Sequence, residues 1–220
     1  TALSVARRQL AGASVGNYAL FAGGRDSGHK NTVDAYNTNL VRSTPTALSV
    51  ARRELAGASV GNYALFAGGY SDSSRNTVDA YNTNLVRSTP TALSVARELL
   101  AGASVGNFAL FAGGSSGGST VDAYNASLVR TTPTVLSVAR YGLAGASVGN
   151  FALFAGGVYR DTVDAYNTDL VRSTPTALSR ERDRLAGASV GNYALFAGGY
   201  DGGYRDTVDA YNTDLVRSTP

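Results

Sequence analysis

The sequence predicts an all-β fold, a five-bladed β-propeller of four-stranded antiparallel blades. Three observations predict it. The 220 residues divide without remainder into five near-identical units, 1–45, 46–90, 91–133, 134–175 and 176–220, which together form one domain. A period of 42–45 residues is that of a propeller, solenoid or array. Each unit carries four short apolar, β-branched or aromatic runs punctuated by turn residues, with no helical periodicity. A twisted four-stranded sheet of this kind has two apolar faces. It can bury both only between neighbours, and packing around an axis does so while removing most exposed edges.

The first unit shows the elements in order. LAGASVG (10–16) reads as a strand of small residues, and it recurs from Leu55, Leu100, Leu143 and Leu185. Gly16-Asn17 is a two-residue hairpin signal, because both residues tolerate positive φ. YALFAGG (18–24) is the second strand, ended by Gly23-Gly24. TVDAYN (32–37) is the third, with β-branched and aromatic residues. Thr38-Asn39 then turns the chain into LVRSTP (40–45), a fourth strand stopped by proline. Ala11, Gly12, Ala13 and Ser14 suit the crowded axis. Tyr18, Leu20, Phe21 and Tyr36 suit the widening wedge between blades, where they are expected as core.

Composition narrows the chemistry. Hydrophobic residues make up 44%, enough for a core, and charged residues only 16%, too few for a disordered chain. There is no Cys, Met or Trp, and one His, His29. Disulfides, thiolate metal sites and cysteine nucleophiles are therefore excluded. Ten of the nineteen basic residues are the two arginines repeated in every unit, so the net charge of +3 reflects repetition. No basic stripe points to nucleic acid. No apolar run reaches the eighteen or so residues of a membrane helix, and residues 1–10 lack a signal-peptide pattern. The compartment is not fixed by these features.

A strand ending in double glycine, a loop, a strand carrying tyrosine, then a turn and an outer strand together resemble the kelch repeat. The double glycines are Gly23-Gly24, Gly68-Gly69, Gly113-Gly114, Gly156-Gly157 and Gly198-Gly199. The tyrosines are Tyr36, Tyr81, Tyr124, Tyr166 and Tyr211, and the arginines before the first strand are Arg7, Arg52, Arg97, Arg140 and Arg182. The resemblance covers the whole chain. It departs from the family in two ways. Leu40, Leu85, Leu128, Leu170 and Leu215 stand where kelch repeats place tryptophan, and there are five units where the family has six or seven. With whole units as blades, no strand is shared between the ends. Closure would rest on packing of the first blade against the fifth alone. A monomer is expected, with a blade-swapped oligomer as the alternative, since near-identical blades are interchangeable.

The copies differ in two places. The loop after the double glycine reads RDSGHKN, YSDSSRN, SSGGS, VYRD and YDGGYRD, and the segment before the first strand reads RRQ, RRE, REL, RYG and RDR. In an up-and-down blade both lie at one end, so both should share one face of the disc. In the kelch family that is the face where partners dock. Candidate binding residues there are Arg25, His29, Lys30, Tyr70, Arg75, Tyr159, Arg160, Tyr200, Asp201, Tyr204 and Arg205, because tyrosine and arginine carry most contact energy.

Other features read as structure. Asp34, Asp79, Asp122, Asp164 and Asp209, and Arg42, Arg87, Arg130, Arg172 and Arg217, recur once per unit, as a repeated structural contact would. Each variable loop offers too few carboxylates for a calcium cage. The double glycines precede no helix and so form no phosphate cradle. Asn125-Ala126-Ser127 fits a glycosylation acceptor in a single unit. The axial residues are Gly, Ala, Ser and Val in every unit, without the asymmetric constellation catalysis needs. The sequence therefore points to a non-catalytic scaffold without cofactor or metal, binding protein or glycan through its variable face. A fragment, or an engineered or amplified repeat propeller, without a specific ligand is the alternative, and a glycan-active enzyme the less favoured one.

Overall fold

The computed structural model describes residues 1–116 and 118–220. It contains five four-stranded antiparallel sheets in sequence and, among the described residues, no helix. In blade 1 the strands are Ala11–Val15, Tyr18–Ala22, Val33–Asn37 and Arg42–Ser43. The same order repeats in every unit, so each blade is made wholly from one unit. Ala11 pairs with Ala22 and Val15 with Tyr18, which places the hairpin at Gly16-Asn17 as the sequence implies.

The outer strand is shorter than its sequence suggests, two residues in place of six. The reason is local. Asn37 Oδ1 accepts hydrogen bonds from the backbone N–H groups of Asn39 (3.0 Å) and Val41 (2.9 Å), and Leu40 takes a left-handed φ of 57°. An asparagine side chain that mimics backbone in this way extends the turn through Val41. The same turn recurs at Leu85, Leu128, Leu170 and Leu215, so the residue in the tryptophan's place is a turn residue.

Packing between blades is asymmetric. Each blade turns the Ala, Ala and Val of its first strand toward the next blade, together with the Leu and Ala of its second. The next blade answers with the Ala and Phe of its second strand and the Tyr of its third. Between blades 2 and 3, Ala56, Ala58, Val60, Leu65 and Ala67 meet Ala109, Phe111 and Tyr124. Within a blade the Phe and Tyr rings pack edge to face at 6.0 Å, a geometry favoured by their quadrupoles. Each tyrosine hydroxyl then donates to the start of its own unit, as Tyr81 does to the Thr46 carbonyl at 2.7 Å.

The recurrent charges are structural. Asp79 is fully buried and accepts from Arg52 at 2.8 Å and Arg87 at 2.9 Å, and Ser49 donates to it from both backbone and side chain. Arg52 also donates to the carbonyls of Phe66 and Gly68. In every blade one recurrent aspartate thus holds both recurrent arginines. The double glycine serves the junction between blades. Gly68 and Gly69 take φ of 66° and 104°, and a Cβ on Gly68 would lie 2.6 Å from the Arg97 carbonyl of the next blade.

Four such interfaces form among the described residues: blade 1 with 2, 2 with 3, 3 with 4 and 4 with 5. Among the described residues the first and fifth blades form no such core. The propeller is thus an arc whose five first strands surround a common axis but whose ends stand apart.

Candidate functional site: the variable-loop face

The two variable segments of each blade are tied to each other by backbone hydrogen bonds. Arg8 and Arg25 exchange two at 2.9 Å; Arg53 pairs with Tyr70, and Asp183 with Tyr200, in the same way. Ser115 donates to the Glu98 carbonyl, and Val158 to that of Tyr141. Both variable segments therefore do lie at one end of the blades. Their backbone is fixed by this pairing, while the side chains are left to differ.

A second set of bonds runs around the axis on this face. Glu54 N–H donates to the Gln9 carbonyl, Leu99 to Glu54, Gly142 to Leu99 and Arg184 to Gly142, at 2.8–3.1 Å. All five residues have φ between 53° and 67°. They ring the mouth of a central hollow of about 440 Å³. Further in, the axial channel, about 410 Å³, is walled by the Gly, Ala and Ser residues of every first strand.

The candidate residues separate into two groups. On blades 1 and 2 they are occupied with each other. His29 packs edge to face on Tyr70 at 5.9 Å, and the Arg53 guanidinium lies 4.9 Å above the same ring. Lys30 pairs with Asp26 at 2.8 Å, and Arg75 donates to Ser71 Oγ at 2.7 Å. The Asp26 carboxyl is held well below the usual carboxylate range, first by its hydrogen bond from Lys30 and then by the Gly28 amide. Arg25 is half-buried.

On blade 5 candidates also pair with each other, but the tyrosines of blades 4 and 5 stand exposed. Tyr159, Tyr200 and Asp201 line a hollow of about 460 Å³ between the two blades. Tyr141, Glu181, Asp183 and Arg184 also line it. Asp201 is held in place by Arg180 at 2.6 Å and by Arg205. Tyr200 packs edge to face on Tyr204 at 5.7 Å, and the two, with Arg184 and Gly199, border a neighbouring hollow of about 470 Å³. Tyr204 is 92% exposed. Arg160 donates to the carbonyl of Tyr159, outside both hollows.

Sequence reasoning did not single out Tyr141, Glu181, Asp183 or Arg184. The signal existed, since all four lie in or next to the variable segments before the first strand. What was missing was that these segments of blades 4 and 5 face each other across a blade boundary. Chemically the hollow offers three phenol rings for apolar or stacking contact, with carboxylates and a guanidinium for directional hydrogen bonds. Among the described residues no group of three or more His, Asp or Glu side chains is placed to hold a metal ion.

Fold and face together define the chain as a repeat β-propeller. It matches no protein-family model and no curated protein.

Proposed function

We propose that the chain is a non-catalytic binding module of kelch type, which takes a protein or glycan partner on its variable-loop face in the hollow between blades 4 and 5. One observation carries the reading: Tyr141, Tyr159 and Tyr200, brought by variable segments of two adjacent blades, converge on a single hollow beside Glu181, Asp183, Arg184 and Asp201. Exposed tyrosines gathered in one concavity supply rigid contact area at small entropic cost. The kelch assignment is supported by the buried arginine, double glycine and strand-three tyrosine of each blade acting as one unit.

The test is a screen of glycan and peptide arrays with the wild-type chain and a Tyr159→Ala/Tyr200→Ala variant. Both tyrosines are exposed, so the melting temperature of the variant should hold. A ligand captured by the wild type and held at least tenfold more weakly by the variant is expected. Capture by both equally, or by neither, would overturn the reading and leave a propeller without a ligand on this face. Turnover of a captured glycan would point instead to an enzyme.

A further inference from the structure

The ends of the arc carry two bare faces, and each is the counterpart of a face that is covered four times elsewhere in the molecule. On blade 5, Ala186, Ala188 and Val190 are exposed, Val190 to 62%, whereas Val60, Val105 and Val148 are 3% exposed. On blade 1, Phe21 is 37% exposed and Ala19 is open, whereas Phe66, Phe111, Phe154 and Phe196 are wholly buried. What covers each face is therefore on display inside the molecule: another blade of the same sequence.

The polar contacts at the two ends are unmatched in the same complementary sense. Inside the arc, the serine N–H of each first strand donates to the serine Oγ of the next blade: Ser14 to Ser59, Ser59 to Ser104, Ser104 to Ser147 and Ser147 to Ser189, at 2.9–3.2 Å. The second glycine of each pair donates to the following blade's buried arginine carbonyl, as Gly24 does to Arg52 and Gly157 to Arg182. At blade 5 both series stop, at Ser189 and Gly199. Their counterparts, the Ser14 hydroxyl and the Arg7 carbonyl, stand at the other end of the chain.

We propose that the chain associates head to tail with a second copy of itself, the fifth blade of one copy docking on the first blade of the other. In a solution of this chain the complementary face open to each bare end is the one on another copy, because the two ends of a single arc do not meet. Continuity with the four internal interfaces supplies the chemistry: Ala and Val against Phe and Tyr, with the serine and glycine bonds continued across the junction. The mate's remaining blades must clear the far end of the arc, so the contact is looser than the internal ones and grows with concentration. A heterologous contact of this kind need not close.

Two substitutions block one end each, Ala19→Lys on blade 1 and Ala188→Lys on blade 5. Both side chains face solvent in the single chain, so melting temperatures should hold. By light scattering, the wild type is expected to rise from 22.6 kDa toward multiples of that mass with concentration. Each variant alone should stay at the chain mass, and a one-to-one mixture should regain a two-chain species through its one intact pair of faces. The chain has no cysteine, so a Ser14→Cys/Ser189→Cys variant gives an independent answer should either lysine variant fold poorly. Mild oxidation should produce chains linked to one another. A disulfide within one chain would mean that the ring seals itself, and no disulfide that the faces do not meet; either overturns the proposal. So would a wild type that stays monomeric at all concentrations, or lysine variants that associate as the wild type does.

Discussion

The residue that decides most in each blade is the strand-three aspartate, buried with an arginine on either side. In blade 5, burial pushes the Asp209 carboxyl up, but hydrogen bonds from Arg182 and Arg217 and two from Ser179 outweigh it and leave the group below its usual range. Asp34 in blade 1 is lowered in the same way, burial being outweighed by Ser4 and Arg7. A carboxyl depressed in the fold contributes stability above its unfolded value, about 4, and that stability is lost as pH falls through the folded value. Thermal melts should therefore be flat from pH 7 to about 5 and fall steeply below about 4, and Asp209→Asn should flatten that slope. Tyr81, Tyr124, Tyr166 and Tyr211 shift the other way: burial first, then the adjacent aspartate, raises each phenol far above its usual range. Their contribution is present at neutral pH and is lost as pH rises beyond about 10. In an alkaline titration of the thirteen tyrosines, these four should ionise late and together with unfolding.

Among the elements, the first strand shows how one sequence meets different surroundings. A Cβ on Gly57, Gly102, Gly145 or Gly187 would collide with the backbone carbonyl of the glycine in the blade before it. On Gly12 the nearest atom is its own blade's Phe21 at 3.7 Å, an ordinary contact. Gly102→Ala should therefore cost about 1–3 kcal/mol in chemical denaturation, as overpacking does. Gly12→Ala should cost almost nothing in dilute solution, where blade 1 has no neighbour on that side. The strands were legible in the sequence because Gly-Asn and double glycine mark their ends. The outer strand was misjudged because LVRST carries no turn residue before Pro45, and only the Asn37 side chain, bonding to Asn39 and Val41, extends the turn.

At the scale of the whole molecule, five blades were legible and the open end was not. Period and turn chemistry are local, but closure depends on the angle each blade makes with the next, which the packed Phe, Tyr, Ala and Val faces set collectively. The same holds for the site. Variable loops could be read directly, and so could their tyrosines, but not that His29 and Arg53 cover Tyr70 while Tyr159 and Tyr200 converge on one hollow. An open arc also has an order of stability. Blades 2, 3 and 4 have two neighbours, whereas blades 1 and 5 have one, and nearest-neighbour contacts dominate repeat stability. Hydrogen exchange at low concentration should find the third-strand amides of blade 3 slowest, and those of blades 1 and 5 faster by at least tenfold. Uniform protection would mean a sealed ring.

The serine ladder along the axis gives the molecule a polarity that a symmetrical disc would lack. Each amide in it donates to the serine hydroxyl of the following unit, and the hydroxyls of Ser59, Ser104 and Ser147 donate back to the preceding serine's carbonyl, so the array has a sense, like a row of tiles whose two edges differ. A gene that gains or loses a unit by misaligned recombination would change the count without changing any junction. The ladder thus makes the number of units free to vary while the fit between them is inherited intact.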